Sequence, residues 1–570
     1  MPLAGSTITA YAGSATAASP IGSGISDTNG NFSFAIDELG GDAVLYAIAR
    51  GGSIAGVPNP AIGLMTVLGI GSEQVSSIRV NELTTVAAVW SLAQFIHSGA
   101  AIFGPSPGLQ NAAATAPTLV DPESGTAAPD LVTTGANKVD SIANILAGCI
   151  SNGSKSRQCT NLFRYTAVHG LPHPSDTLAA SWNLARHPSL HVSDLYRLSL
   201  QSSRFFPTLP FEPAAWTVSI QFYGGGLAAP VALAIDSSGN VWVANAYAVG
   251  AISEFLANGT PAAGSPFLCA GRSNFESIAI DTAGNIWAPT SIPGAYLCEF
   301  NAFGDLISPS TGYPIPFEFE SPAIADIAAD QSGNIWMTDF QNNSLIEMSS
   351  QGQALSPVRG FRSEGMLTPI GVAIDANGDA WVTSDGGDVG PPTPTGSVFK
   401  FDPQGTPLSG PKGWTAGGIR SPTGVAIDLS SHVWVADTGG FYDDRFNDGI
   451  TKLTLKGTPL SPRKGFQGGG LSIPSLIAID GAGNAWIINN NQVNSNFPWP
   501  LTVLDPNGHP ISPRVGYCFD GYLDSLGGIA IDPSGNVWTT NSGINTLQKM
   551  VGAAAPIRTP LISSLISPLL

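Results

Sequence analysis

The chain has 570 residues, with 67 glycines, 45 prolines and a formal charge of −18 at pH 7. Because 43% of its residues are hydrophobic and 11% are charged, the composition excludes a disordered chain, and its excess of turn residues disfavours an all-helical protein. The chain is acidic and has no Lys/Arg run, which excludes a nucleic-acid partner. The sequence also has no apolar run of about 18 residues, so it predicts no membrane span.

Residues 1–52 predict a small β module. Strand-like segments surround the turn from Asp27 to Asn31, and this pattern resembles the carboxypeptidase-regulatory-like or Ig-like β-sandwich. Fifty residues give a thin core, so we expect the module to lean on its neighbour.

Residues 53–210 predict a helical and loop-rich segment. Helical periodicity covers residues 80–96, 139–150, 176–187 and 191–201, with Asn81 and Asp176 as N-caps. The Gly/Ala/Pro/Thr-rich stretch 98–136 is expected to be a loop.

The five cysteines show no zinc-binding spacing. Cys149 and Cys159 flank a polar loop, which favours a disulfide if the protein is exported; Cys269 and Cys298 are a second candidate pair, and Cys518 is expected as a buried thiol. The start of the sequence shows no signal peptide, so its true N-terminus stays open. We nevertheless expect a periplasmic, cell-surface or secreted protein.

A strand–turn–strand segment recurs seven times between residues 211 and 551. Each copy carries an Asp followed six residues later by a Trp, and the Asp residues are 45 to 53 positions apart. The apolar run before Asp predicts a buried strand, the Gly-Asn pair a hairpin turn, and the Trp segment a second strand. Two further strands complete a blade, so the sequence predicts a mainly β chain with a seven-bladed β-propeller. Residues 216–222 are expected to complete blade seven, and residues 552–570 to form a C-terminal strap.

The repeat resembles that of NHL-type and streptogramin-lyase-type propellers. Ser421 to Asp428 and Val433 to Asp437 match the NHL pattern closely, while Trp at the aromatic position is more similar to the lyase-type repeat. The whole layout resembles exported bacterial NHL-repeat proteins. The resemblance implies a fold and leaves the activity open.

The repeated Asp and Trp residues are interpreted as structural, because a residue present in every blade satisfies a need that all blades share. The third residue after each Trp varies, and it is expected near the mouth of the central channel. The carboxylate and amide members suit Ca²⁺ or Mg²⁺, and in calcium-dependent lactonase propellers such groups surround the channel. The candidates for a metal site are Asn245, Asp339, Asp437, Asn489 and Asn541.

Blades four to six have longer connections between strands two and three. From the Trp to the end of strand three, these copies have 18 to 20 residues, and the other four have 12 or 13. Aromatic, amide and carboxylate side chains in these loops suit a carbohydrate, peptide or protein ligand. The candidates for ligand binding are Phe441, Tyr442, Asp443, Asp444, Arg445, Asp448, Asn494, Phe497 and Trp499.

Catalytic residues are harder to find. The propeller contains only His432 and His509, both in turns that face away from the long loops, and no hydrolase or nucleotide-binding motif occurs. The sequence therefore favours an exported, monomeric, non-enzymatic binding propeller without a predicted catalytic residue. The alternative is a metal-dependent lyase or lactonase with its site at the central channel.

Overall fold

The structure is a computed structural model. It describes residues 2–36, 41–71, 73–74, 77–128, 133–247, 251–269, 273–292, 294–318, 320–387, 396–438, 449–490, 501–520 and 523–562. No helix within these ranges combines the length and apolar character needed to cross a membrane.

The described residues of the N-terminal region form short strands and six helices. In chain order these are β1 (Thr7–Gly13), β2 (Ala18–Ile25), β3 (Val44–Arg50), β4 (Ser53–Ile54), β5 (Val57–Pro58), β6 (Gly63–Ile70), β7 (Glu73–Gln74), α1 (Glu82–Leu92), β8 (Ile96–Ser98), β9 (Ala101–Ile102), α2 (Gly108–Leu119), β10 (Val120–Asp121), β11 (Thr126–Ala127), α3 (Thr133–Asn152), α4 (Arg157–Tyr165), α5 (Thr177–Arg186) and α6 (Val192–Ser199).

The main N-terminal sheet has the strand order β2-β1-β3-β6-β7. Helices α1, α2 and α5 contact β6, so helices cover a face of this sheet where a β-sandwich would have a second sheet. The described residues therefore differ from the predicted sandwich. Because β6 pairs with β3, the boundary expected after residue 52 lies between two paired strands.

The helices follow local sequence signals at their N-termini. Asn81 accepts a hydrogen bond from the Thr84 amide at 2.9 Å, and Asp176 accepts one from the Ala179 amide at 2.8 Å, as the capping pattern predicts. Helix α2 lies within the stretch 98–136, so the prediction of a loop there was wrong. The cause is alanine, the strongest helix former, which recurs through α2 despite Pro117 in its last turns.

The remaining strands belong to the repeat region. They are β12 (Ser219–Phe222), β13 (Pro230–Ile235), β14 (Val241–Asn245), β15 (Ala251–Phe255), β16 (Phe267–Leu268), β17 (Ser273–Phe275), β18 (Ala279–Ile280), β19 (Ile286–Ile292), β20 (Tyr296–Phe300), β21 (Tyr313–Pro314), β22 (Ile324–Ala329), β23 (Ile335–Asp339), β24 (Ser344–Met348), β25 (Pro369–Ile374), β26 (Ala380–Ser384), β27 (Ser397–Phe401), β28 (Pro422–Ile427), β29 (His432–Asp437), β30 (Gly449–Thr454), β31 (Pro474–Ile479), β32 (Ala485–Asn489), β33 (Leu501–Leu504), β34 (Leu526–Ile531), β35 (Val537–Asn541) and β36 (Thr546–Met550).

These strands form seven small antiparallel sheets in the described part of the chain, numbered here first to seventh by the repeat copy that each contains. The inner strands β13, β18, β22, β25, β28, β31 and β34 contact one another in this order, and β34 contacts β13. The seventh sheet takes its outer strand β12 from before the first copy, with Ser219 opposite Met550. The chain is mainly β, and this ring of small sheets is the architecture of a β-propeller.

Aromatic side chains join neighbouring sheets. An aromatic residue in the outer part of each sheet lies 5.2 to 6.1 Å, between ring centroids, from the repeated Trp of the same sheet. In the fourth sheet this residue is Trp414, and it packs under Gly457 of the fifth. Gly457 has φ +75°, and a Cβ there would overlap the Trp414 ring, so only glycine fits.

The junction between the sixth and seventh sheets differs, because the N-terminal region takes part in it. Tyr517 of the sixth sheet receives a hydrogen bond from Ser189 at 3.4 Å. Trp90 of α1 donates a hydrogen bond to the Trp216 carbonyl at 2.9 Å, and both indoles are buried in one core with Val551. The N-terminal region thus packs on the ring where the repeat pattern stops.

Two disulfides lie within the described residues, Cys149–Cys159 and Cys269–Cys298, as the sequence predicts. The Cys518 thiol is half-buried, and burial raises its pKa to about 11. It is therefore protonated at neutral pH and a poor nucleophile.

Candidate functional site

The repeated Asp and Trp form one structural unit in every sheet. In the second sheet, Asp281 accepts the backbone amides of Ala283 and Asn285 through Oδ1, and the Trp287 indole N–H through Oδ2 at 2.9 Å. The same indole bond, at 2.8 to 3.3 Å, recurs in the other six. Every one of these Trp side chains is at most 2% exposed. Both residues therefore have the structural role that the repeat predicts.

The five metal candidates are the last residues of the second strands, and all are buried. Each side chain accepts a backbone amide from the segment entering its own sheet; Asn245, for example, accepts that of Ala228 at 2.9 Å. The other four side chains accept backbone amides in the same way: Asp339 from Ala323, Asp437 from Arg420, Asn489 from Ser472 and Asn541 from Asp524. Burial raises the pKa of Asp339, while its bonds from Asn342 and Ala323 oppose that shift. The structure thus uses these groups as caps for the inner strands.

Asp326 is a carboxylate that the sequence interpretation missed. It lies on the inner strand β22, accepts a hydrogen bond from Ser277 Oγ of the second sheet at 2.9 Å, and accepts the Val372 amide of the fourth sheet at 3.1 Å. Burial raises its pKa to about 6, against the effect of these bonds. The available signal was its position four residues before the repeated Asp, where other copies have Ala232, Ser277, Gly371, Gly424, Leu476 and Gly528.

The described side chains around the channel do not form a donor set that fits Ca²⁺ or Mg²⁺. Both oxygens of Asp326 face hydrogen-bond donors, whereas these cations require several converging oxygen acceptors. Among the described residues, no three His, Cys, Asp or Glu side chains lie close enough together to hold a metal ion. We therefore derive no metal-assisted step at this channel.

The residue opposite each repeated Trp on the third strand varies in charge. It is Glu254, Glu299 and Glu347 in the first three sheets and Lys400, Lys452 and Lys549 in the fourth, fifth and seventh. Burial, with a contribution from the nearby Asp of the same sheet, raises the pKa of each glutamate to about 7. Lys400 instead pairs with Asp375 at 3.0 Å and Asp379 at 2.7 Å.

The nine ligand-binding candidates lie outside the described residues. They belong to the connections between the second and third strands of the fifth and sixth sheets, residues 439–448 and 491–500. The strand ends that bound these connections are described, and they lie at the end of the ring opposite the Asp turns.

The Asp-turn end of the ring is engaged by other parts of the chain. Asn111 of α2 donates to the Ser238 carbonyl at 2.7 Å, and Ser534 donates to the Gly108 carbonyl at 2.9 Å. The C-terminal strap crosses the same end, where the Ala555 amide donates to Asp480 at 3.3 Å and Thr559 to the Asp236 carbonyl at 2.5 Å. Lys549 reaches Thr115 of α2 at 3.0 Å and thereby joins the seventh sheet to the N-terminal region.

Of the two ring histidines, His509 directly follows a turn, whereas His432 is the first residue of β29, directly after the Asp turn. His432 Nδ1 is 3.2 Å from Asp428 Oδ2, and His509 Nδ1 is 3.1 Å from Asp505 Oδ2. Each backbone amide also donates to the same Asp, so these residues close local turns at the end where the N-terminal region docks.

A cavity of about 1070 Å³ lies in the N-terminal region. Its wall includes Leu64, Leu68 and Phe34 together with an ion pair in which Arg204 Nη1 is 2.8 Å from Glu82 Oε1. Burial raises the pKa of Glu82, and Arg204 opposes that shift. The guanidinium thus balances a carboxylate that is almost completely buried.

No protein-family model matches the chain, and no curated protein matches it either. Solved structures similar to it include a catalytically inactive virginiamycin B lyase from Staphylococcus aureus with quinupristin (15% identity, TM-score 0.41), which covers 58% of this chain and 98% of its own. A gluconolactonase from Xanthomonas campestris has 14% identity and a TM-score of 0.33 over 58% of this chain and 98% of its own. The WD40 β-propeller domain of Doa1 has 8% identity and a TM-score of 0.43, with coverages of 58% and 95%. Such values assign neither an activity nor a ligand to this chain.

Proposed function

We propose that this chain is an exported, monomeric, seven-bladed propeller that binds a peptide, protein or carbohydrate ligand and does not catalyse a reaction. Recognition uses the long connections of blades four to six. In this proposal the N-terminal region and the strap fix the opposite end of the ring.

The observation that carries the proposal is that other parts of the chain contact one end of the ring and not the other. Helix α2 and the strap hydrogen-bond to the Asp-turn end at the first, sixth and seventh sheets. The strand ends that bound the long connections lie at the other end, and none of these bonds reaches that end. An end with long loops on a rigid scaffold is where binding residues concentrate in proteins.

The chemistry of the channel supports binding over catalysis. The polar side chains at the strand ends already accept backbone amides, and Asp326 accepts hydrogen bonds from two neighbouring sheets. A general base needs a lone pair directed at the substrate, whereas the lone pairs of these groups accept hydrogen bonds from within the protein. The two disulfides favour an oxidising compartment, which supports export.

A glycan and peptide array tests the proposal. The chain should bind a defined set of ligands, and Tyr442→Ala or Trp499→Ala should weaken that binding by at least about tenfold, as expected for aromatic anchors. Tyr247→Ala is the matched control, because this exposed aromatic follows the second strand of the first sheet, where the connection is short.

Deleting residues 441–448 should abolish array binding without lowering the thermal unfolding midpoint. Unchanged binding after this deletion, or equal losses for Tyr247→Ala and Trp499→Ala, would contradict the proposal. Turnover of a lactone or cyclic depsipeptide that depends on Ca²⁺ or Mg²⁺ would replace it with the enzymatic alternative.

A further inference from the structure

The outer edge of four consecutive sheets repeats one surface motif. After the third strand, the third to sixth sheets each have an exposed aliphatic residue, a serine, and a turn that ends in glycine before the aromatic residue. The aliphatic residues are between 45% and 49% exposed: Leu355, Leu408, Leu460 and Ile511. The amide of the closing glycine donates to a carbonyl three residues earlier in every turn, for example Gly465 to Pro462 at 2.8 Å.

Each of these turns carries exposed positive charge. The cations are Arg359 in the third sheet, Lys412 in the fourth, Arg463 and Lys464 in the fifth, and Arg514 in the sixth. The second sheet has an exposed Ile307 at the aliphatic position, but its turn, Pro309 to Gly312, contains no cation. Five of the 23 Lys and Arg residues of a chain with charge −18 therefore follow one arc.

The arc already binds one carboxylate. Arg359 holds Glu318 of the neighbouring sheet in a two-point contact, with Arg359 Nη2 2.9 Å from Glu318 Oε1. This pair lowers the pKa of Glu318. Lys412, Arg463, Lys464 and Arg514 take part in no salt bridge with the described residues. Their charges therefore face solvent beside an exposed aliphatic side chain.

We propose that this arc, the exposed aliphatic residues and cationic turns of the third to sixth sheets, docks an extended acidic segment of a partner protein. Equivalent positions of a ring lie on its circumference, so the arc is convex. A flexible peptide can follow a convex arc along its whole length, whereas a flat surface would touch it at only a few points. Carboxylates of the segment pair with the turn cations as Glu318 pairs with Arg359, and its aliphatic side chains cover Leu408, Leu460 and Ile511.

The test uses a fluorescent peptide that alternates Glu with Leu and Ser, added to the full chain, with fluorescence anisotropy as the readout. A peptide with Gln in place of Glu and vesicles of phosphatidylserine are the comparison probes. The acidic peptide should bind, the Gln peptide should not, and the affinity should fall as salt is raised from about 0.05 to 0.5 M, because exposed charges are screened.

The variant Arg463→Ser/Lys464→Ser/Arg514→Ser should weaken binding by at least about tenfold, and Leu460→Ser/Ile511→Ser should also weaken it. The control Lys155→Ser/Arg157→Ser/Arg197→Ser removes the same number of exposed cations from the N-terminal region and should change the affinity less than about twofold. All substituted side chains are exposed, so unchanged thermal unfolding will show that the variants fold.

Equal losses in both charge variants would mean that net charge alone attracts the peptide, which overturns the proposal. It is also overturned if the vesicles bind and the peptide does not, since the arc would then recognise a lipid surface. No binding of the acidic peptide at low salt would overturn it as well.

Discussion

The first three sheets have a glutamate opposite the repeated Trp, whereas the fourth, fifth and seventh have a lysine at the same position. In both groups this side chain is at most 6% exposed and lies beside the buried Asp of the turn. Lys400 and Lys452 each pair with that Asp at 3.0 Å. The glutamates add a second acid, and burial together with the neighbouring Asp raises its pKa to about 7.

The comparison shows that the repeat requires a buried side chain opposite the Trp but allows this side chain to be either acidic or basic. Lys452 lies over the Trp434 ring at 4.4 Å and pairs with Asp428 at 3.0 Å, while Glu299 accepts hydrogen bonds from Asn285 at 2.9 Å and Tyr313 at 3.1 Å. Either partner satisfies the buried polar atoms. The two groups should therefore respond differently to loss of charge and to pH.

Removing a lysine should have the largest effect. Lys400→Met leaves the carboxylates of Asp375 and Asp379 buried without their cation, and we expect the free energy of unfolding to fall by about 3–5 kcal/mol. Chemical denaturation at neutral pH measures it. Lys412→Met in the same sheet is the control, because this lysine is exposed, and it should change little. Similar small losses for both variants would show that the buried pair contributes nothing special.

A buried glutamate should make the free energy of unfolding depend on pH. The ordinary pKa of Glu299 is 4.5 and its value in the folded protein is about 7, so the folded state keeps a proton that the unfolded chain has lost in this window. The free energy of unfolding should fall as pH rises from about 4.5 to 7, by up to about 1.4 kcal/mol per pH unit for this residue. Glu299→Gln removes this slope, which denaturation at a series of pH values will show.

The matched control for this experiment is Glu364→Gln, a substitution of an exposed glutamate that follows the third sheet. Its pH profile should run parallel to that of the unmodified chain. If the Glu299→Gln profile is parallel too, Glu299 is ionised in the folded protein and the comparison between the two groups of sheets fails.

Exchanging one group for the other should have a smaller effect. Glu299→Lys places an ammonium beside Asp281, as Lys400 stands beside Asp375, and it should abolish the pH slope. Asn285 and Tyr313 lose their acceptor, so we expect a net loss of about 1–2 kcal/mol at pH 8. A loss as large as that of Lys400→Met would show that the surroundings of each sheet are specialised for their own charge.

The features that the sequence predicts are those that recur at fixed spacing. The Asp turn, the buried Trp and the caps Asn81 and Asp176 depend on residues within a few positions of each other, so local chemistry determines them. The Glu and Lys residues of the third strands can also be read directly from the sequence. Their significance needs the register that places Glu299 opposite Trp287, because only then do two acids share one buried site.

The features that the sequence does not predict depend on long-range contacts. Lys549 meets Thr115 across more than four hundred residues, and nothing periodic encodes the docking of the N-terminal region on the ring. The five metal candidates end the second strands, yet the sequence does not reveal that Asn245 accepts the Ala228 amide. The long loops that carry Phe441 and Trp499 remain predictions, since they lie outside the described residues.

The smallest effect is expected where the fifth sheet departs from the repeat. His432 occupies the position of Asn285 and Asn484, and its ring nitrogen lies 3.2 Å from Asp428, which Lys452 already neutralises. In the sixth sheet Asn484 makes the equivalent bond to Asp480 at 2.9 Å. His432→Asn should thus restore that bond and change the free energy of unfolding by less than about 0.5 kcal/mol at any pH between about 5 and 8. A larger loss would show that the imidazole makes a contribution beside Lys452 that an amide cannot replace.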